Sequence, residues 1–192
     1  KGFVDKIIYN DDKVKKIAVL IDYKTGNIDI DLSYIKYGIN MQLPVYLYLV
    51  KQELKEVEFA GFYLQKLINK DDKSLKLEGF SNSNINILSM FDKNYENSNL
   101  VKGLKVKQDG SFYKTSKVLN SDEIAKIIDI TNQSINNSIK NIEDVNFSIN
   151  PKKSNNFNSC TYCPFNDFCF KTNNDYIEIK EDLSFLEGEE NE

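Results

Sequence analysis

Two aspartates and a lysine near the start of the chain have the residue types and spacing of a hydrolytic site. Asp5 sits at the end of one apolar run, in Gly2-Phe-Val-Asp-Lys-Ile. Asp22 ends the next apolar run, in Val19-Leu-Ile-Asp-Tyr-Lys-Thr-Gly26, two residues before Lys24. Two carboxylates and a lysine on paired strands are what a metal-dependent phosphodiesterase needs. Carboxylates hold a hard divalent cation through oxygen ligands. Such a cation lowers the pKa of a bound water and offsets charge on the phosphate. A lysine is a compact cation that steadies the attacking hydroxide or the oxygens that gain charge.

A second constellation lies near the end: Cys160, Cys163 and Cys169, with no cysteine before them. Three thiols cannot all pair into disulfides, and nothing suggests secretion. Zinc would want a fourth Cys or His, and the chain contains no histidine. Thiolates also suit a [4Fe–4S] cluster. On residue chemistry alone, cluster and zinc with an outside ligand stand equal. The lack of histidine also removes every Ser-His or Cys-His catalytic arrangement.

These groups need elements to position them. Phe3 to Tyr9 and Lys16 to Tyr23 read as strands, joined by a turn at 10–13 into an antiparallel hairpin. The continuous apolar run Ile17-Ala-Val-Leu-Ile21 predicts burial on both faces. Asp31 or Ser33 could cap a helix running to about Leu54, in which Pro44 predicts a kink or break. Val57 to Leu67 reads as a strand, with Phe59, Gly61, Tyr63 and Gln65 on one face and Phe62 and Leu64 on the other. A short strand near 75–79 and a small helix near Ile85 to Phe91 follow. Phe112 to Lys117 reads as extended. Asn120-Ser-Asp-Glu123 resembles a capping box and opens a helix to about Ile142, with Ile124, Ile127, Ile128, Ile135 and Ile139 as its stripe. Phe147 to Asn150 reads as extended. This order indicates a mixed α/β domain with a central sheet.

Length and composition bound the answer. The 192 residues, 41% hydrophobic and 12% aromatic, suit one globular domain with a small appendage. No apolar run of about 18 residues predicts a membrane span, and no signal-peptide pattern opens the chain. A cytoplasmic location is expected. The start at Lys1-Gly2-Phe3, without Met, reads as an excised fragment. A net charge of −4 is unhelpful for a nucleic-acid binder, although part of it falls in the tail Glu187-Gly-Glu-Glu-Asn-Glu192. Lys102, Lys105, Lys107 and Lys114 form a loosely basic stretch, read first as solvated surface.

Asp5 with Asp22-Tyr-Lys24 resembles the core of the PD-(D/E)XK nuclease superfamily. Gln42-Leu-Pro-Val-Tyr46 is similar to the Gln-x-x-x-Tyr helix motif of its RecB-like branch; residues four apart share a helix face. Ala60-Gly-Phe-Tyr63, Leu77-Glu-Gly79, Asn120-Ser-Asp-Glu123 and Cys160-x2-Cys163-x5-Cys169 look like successive landmarks of one subfamily. It is the C-terminal nuclease domain of the B subunit of AddAB-type (RexAB-type) ATP-dependent helicase–nucleases. The resemblance runs from Gly2 to about Phe170.

The resemblance implies a restriction-endonuclease-like α/β core and cleavage of single DNA strands during double-strand-break end resection. It implies the companion A subunit of the helicase–nuclease as partner, and no membrane. It implies Mg²⁺ or Mn²⁺ at Asp5 and Asp22, with the backbone carbonyl of Tyr23 as a further ligand. Lys24 would face the attacking water and Gln42 would position the substrate. Tyr46 would either touch DNA or serve as a core aromatic. A [4Fe–4S] cluster on Cys160, Cys163 and Cys169 would clip the C-terminal segment to a distant upstream cysteine. That fourth cysteine, and an upstream Glu or His of the metal site, are not in this chain. An incomplete cluster and an incomplete metal shell are therefore expected. The expected organisation is a nuclease core over 1–150, a cysteine segment over 151–175 and an acidic, disordered tail over 176–192. Two rivals remain: a stand-alone iron–sulfur nuclease of the CRISPR-adaptation type, and a catalytically silent DNA-holding scaffold on the same fold.

Overall fold

The computed structural model describes residues 3–11, 15–26, 28, 30–67 and 75–186. Strand β1 (Lys6–Asp11) pairs antiparallel with β2 (Lys16–Lys24), from Lys6↔Ile21 to Asp11↔Lys16. The hairpin expected from the sequence is present. The tip of its turn, 12–13, lies outside the described residues. All five residues from Ile17 to Ile21 are buried, so β2 must be covered on both faces and paired on both edges. Its other edge pairs parallel with β3 (Val57–Lys66). β3 pairs antiparallel with β4 (Leu77–Asn82), and β4 pairs parallel with β5 (Val118–Leu119). The sheet order is β1-β2-β3-β4-β5, the mixed α/β arrangement that the element order predicts.

On one face, Ala18 and Leu20 of β2 pack with Leu43, Leu47 and Val50 of helix α1 (Gln42–Glu53), and with Ile124, Ile127 and Ile128 of a later helix, α3 (Ser121–Glu143). On the other, Ile17, Val19 and Ile21 pack with Ile87 and Leu88 of the short helix α2 (Ile85–Phe91) and with Val101 and Leu104. Successive side chains of a strand alternate faces. Asp22 and Lys24 therefore share the α1–α3 face with Ala18 and Leu20, whereas Tyr23 packs on the α2 face.

Two elements differ from the sequence reading. The helix expected from Asp31 or Ser33 is two pieces. A 3₁₀ turn at Ile35–Tyr37 ends at Gly38 (φ 75°), Asn40 is also left-handed (φ 59°), and α1 begins only at Gln42. The break falls at these positive-φ residues. Pro44 lies in the first turn of α1, where its missing N–H costs nothing. Asp31 instead accepts hydrogen bonds from the Ser33 amide and hydroxyl, a local turn that competes with a helix. The second difference is in β3. Its register against β2 jumps from Ala18↔Phe59 to Val19↔Gly61. The bulge at Ala60 reverses the alternation, so Phe59, Phe62 and Leu64 share the α1–α3 face while Ala60 and Tyr63 take the other.

Other expectations hold closely. Asn120 caps α3 reciprocally with Glu123. The stripe of α3 is buried through Ile124, Ile127 and Ile128, but Ile139 is 49% exposed; the last turns carry that stripe beyond the core. Between 112 and 117, Phe112 makes a single bridge to Val106, and regular pairing starts only at β5. Residues 176–186, expected as part of a disordered tail, are largely exposed but anchored at a few points. Lys152–Lys153 (β6) pairs parallel with Ile177–Glu178 (β7), Ile179 is buried, and Phe185 and Leu186 pack on the α1–α3 core. Lys36 bridges to Asp182 at 2.7 Å, and Lys126 donates to the Leu186 carbonyl. The acidic stretch 187–192 lies outside the described residues. No helix among the described residues is long and apolar enough to cross a membrane.

Packing makes two of these contacts testable. Gly79 stands opposite Tyr63, and a Cβ there would lie 2.2 Å from the Phe62 carbonyl oxygen. Backbone cannot yield as a side chain does, so Gly79→Ala is expected to cost about 2 kcal/mol or more, read by urea denaturation. The Asp182 carboxyl is drawn down to about 2, chiefly by its hydrogen bond from Lys36 and then by Ser184. A carboxyl lowered on folding contributes stability above its unfolded pKa, about 3.9. That contribution is lost as pH falls toward about 2. NMR shifts of the Ile179 and Leu186 amides should therefore move toward random-coil values across that window in wild type, and already at neutral pH in Asp182→Ala.

Candidate active site

The hairpin brings the two aspartates together. β1 begins at Lys6, opposite Ile21, so Asp5 falls just beyond the last paired residue, beside Asp22. Its side chain then continues the ladder: Asp5 Oδ2 accepts the Tyr23 amide at 2.9 Å. Asp5 is exposed, while Asp22 is 2% exposed.

Burying a carboxylate costs several kcal/mol unless charges and donors compensate. Lys24, on the same face two residues along, sets its ammonium 2.7 Å from Asp22 Oδ2. Gln42, the first residue of α1, donates through Nε2 to Asp22 Oδ1 at 2.7 Å. Its Oε1 accepts from the Lys24 ammonium. The amide thus joins the acid and the base of the site through its two ends. Nε2 also donates to the Tyr46 hydroxyl at 3.0 Å, one turn along α1. Tyr46 is partly buried and packs on the α1–α3 core. It supports Gln42 and fills the core at once.

One atom is left over. Asp22 Oδ2 is buried and, although the ammonium is close, has no hydrogen bond of acceptable geometry. Buried polar atoms are almost always satisfied. A carboxylate oxygen held this way beside a second, solvent-facing carboxylate fits a hard cation. No third Asp or Glu joins them: among the described residues, no three metal-type side chains gather at one point. The Asp5 and Asp22 carboxylates are the acidic donors the chain offers here.

The cysteines lie elsewhere, on a turn-rich segment. Cys163 N donates to the Cys160 carbonyl and Asn166 N to that of Cys163. All three thiols are half-buried and none is in a disulfide. Tyr176 hydrogen-bonds to Cys160, which raises the tyrosine's pKa. The donor chemistry suits iron or zinc, but the three thiols do not converge as placed, and three are one short of a four-thiolate set.

Sequence reasoning missed the neighbourhood of Gln42. A cavity of about 120 Å³ opens beside it, lined by Lys24, Asp31, Asn40, Ile30 and Leu64 among others. The positive φ of Asn40, which no sequence pattern singled out, turns the chain into this wall. Lys117 was also missed: it donates to the Ile30 carbonyl at 3.1 Å and stands over the Phe80 ring.

The chain is similar to several bacterial proteins named as the B subunit of an ATP-dependent helicase/deoxyribonuclease. It is 29% identical to that of Clostridium tetani, over 88% of this chain and 16% of the relative. It is 28% identical to that of Caldanaerobacter subterraneus, over 94% and 18%, and 29% identical to that of Clostridium novyi, over 93% and 18%. The chain thus spans about one sixth of the length of these relatives. The family model described as the PD-(D/E)XK nuclease superfamily matches residues 1–170, a stretch that takes in the whole five-stranded sheet and all three α-helices, and the chain belongs to that superfamily.

Proposed function

We propose that this chain is the nuclease domain of a longer helicase–nuclease polypeptide and hydrolyses phosphodiester bonds in DNA strands that a motor has separated. The observation that carries the reading is the buried Asp22 Oδ2, lacking a donor, beside Asp5 and Lys24. The relatives are named as the B subunit of a helicase/deoxyribonuclease, which supports DNA as substrate and the companion A subunit as partner. End resection in recombinational repair follows from that partnership. Their similarity along most of this chain favours this setting over a stand-alone nuclease of CRISPR adaptation.

Asp22 and Asp5 would hold Mg²⁺ or Mn²⁺, with the Tyr23 carbonyl as a third ligand. Within a strand, the N–H and C=O of one residue point to the same edge. Asp5 takes the Tyr23 N–H, so the carbonyl of Tyr23 lies on the Asp5 side. A divalent ion bound there supplies an activated water and offsets phosphate charge. Lys24 presents an ammonium that steadies the attacking oxygen, and Gln42 fixes where that ammonium points.

Asp22→Ala is expected to abolish strand cleavage and Mn²⁺ binding by calorimetry while leaving the melting temperature unchanged or higher, since it removes a buried, under-satisfied charge. Intact Mg²⁺-dependent cleavage by that variant would refute the site. Lys24→Ala should separate from it: metal binding survives, and single-turnover cleavage falls about 10²- to 10³-fold.

The three cysteines are proposed as ligands of a [4Fe–4S] cluster with its fourth ligand outside this chain. Supporting this are their spacing, their unpaired state and the four-thiolate habit of such clusters. In the longer polypeptide, Cys163→Ser should lower both iron content and melting temperature and leave the chemical step at bound DNA intact. Full iron and an unchanged melting temperature in that variant would remove the cysteines from this role.

A further inference from the structure

Strand pairing carries the site across the sheet. Asp22 is paired with Leu64, and Leu64 with Glu78. Directly paired residues share a face, so Asp22, Leu64 and Glu78 form one row under the α1–α3 side. Glu78 stands two strand spacings, about 10 Å, from Asp22. A cavity opens at each end of the row. The first is the one beside Lys24 and Gln42. The second, about 230 Å³, is lined by Ile28, Glu78, Lys102, Thr115 and Lys117. Ile30 belongs to the walls of both.

The second cavity has cations with donors to spare. Lys117 spends one N–H on the Ile30 carbonyl and rests 5.6 Å from the Phe80 ring centroid. An ammonium has three N–H donors, so two remain. The ring and the carbonyl hold this cation at the rim. Lys102 pairs with Glu78 at 2.9 Å, with its side chain 60% exposed. An exposed pair of this kind is worth at most about 1 kcal/mol, so Lys102 exchanges readily to a stronger anion. Ile28, Ile30 and Leu64 give the two cavities apolar wall, beside the polar side chains of Asp31 and Asn40 in the first and Thr115 in the second.

We propose that the two cavities are one track for a single nucleic-acid strand. The strand whose phosphate lies at Asp22 and Lys24 crosses Ile30, and its next phosphates on that side are taken by Lys117 and Lys102. Sugars and bases lie along the apolar wall. The Glu78 carboxylate in the second cavity competes with phosphate for Lys102. The proposal rests on the nuclease reading of the same site.

The test is binding of a fluorescein-labelled oligothymidylate to the whole chain, without divalent metal, as a function of salt. Each phosphate contact on a single strand contributes about 0.7 to the slope of log affinity against log salt. Lys117→Ala and Lys102→Ala should each weaken binding about three- to tenfold and lower that slope by about 0.7. Lys117→Arg should keep the slope, and Glu78→Gln should tighten binding. A slope and affinity at wild-type values in both alanine variants would overturn the track, as would weaker binding by Glu78→Gln. If Lys117→Ala fails to fold, Lys102→Ala decides alone, because its side chain is at the surface. Failure of the nuclease reading looks different: Asp22→Ala would still cleave, whatever the lysine slopes show.

Discussion

The buried carboxylate of Asp22 is the constraint that the rest of the site answers. Its side chain is nearly out of water, and a charge there survives only among compensating charges and donors. Strand alternation supplies the first, because residue 24 shares a face with residue 22. The second must come from another element. The left-handed residues Gly38 and Asn40 end the preceding 3₁₀ turn and aim the chain so that α1 starts at Gln42. Leu43, Leu47 and Val50 then clamp α1 to the sheet. The start of α1 lies beside the carboxylate, where the helix dipole also favours negative charge.

The opposite face keeps the strands that carry the site in place. Tyr63 is fully buried, its hydroxyl bonded to Ser81 at 2.8 Å. Burial pushes that phenol far above its ordinary pKa, so it remains a neutral donor or acceptor at any working pH. Its ring occupies the space over Gly61, where a Cβ would come within 2.2 Å of the hydroxyl. Gly61 is paired with Ser81, so the ring covers the gap that a glycine leaves in a strand. The bulge at Ala60 makes this possible: it returns Phe62 and Leu64 to the α1–α3 face and sends Tyr63 to the other. Without it, Leu64 would not stand next to Asp22 on the same side.

What the sequence showed of this fold follows from how local each signal is. The capping box at Asn120 and Glu123, the apolar run of β2 and the hairpin juxtaposing Asp5 with Asp22 depend on neighbours in sequence, and they were legible. The β3 faces were not, because a bulge depends on pairing with β2 and leaves no mark in the alternation of Phe59, Gly61 and Tyr63. The start of α1 is not marked in the sequence, where Pro44 is the strongest breaker signal, whereas the break lies at Gly38 and Asn40. Gln42 was legible only as a motif position; its bonds to Asp22 and Lys24 join residues 18 to 20 apart. Lys117 had no signal at all, since its partners, Ile30 and Phe80, are 87 and 37 residues away.

The amide at position 42 is chemically apt in a way that neither its acid nor an apolar isostere would be. A glutamate there would set a second carboxylate against Asp22 and offer no donor to Oδ1. A methionine would leave both oxygens of Asp22 to Lys24 alone. The amide gives a donor to Asp22 and an acceptor to Lys24 at once, and these two partners fix its orientation, because reversing it would set oxygen against the carboxylate and N–H against the ammonium. Lys24 therefore has two holds: it pairs by charge with Asp22 Oδ2 and donates its hydrogen bond to Gln42 Oε1. If Asp22 turns its oxygen to another cation, the ammonium keeps its hold on Gln42 and stays in the site. A lysine paired with the aspartate alone would be free to swing into water, whereas the glutamine gives the ammonium a second anchor inside the site.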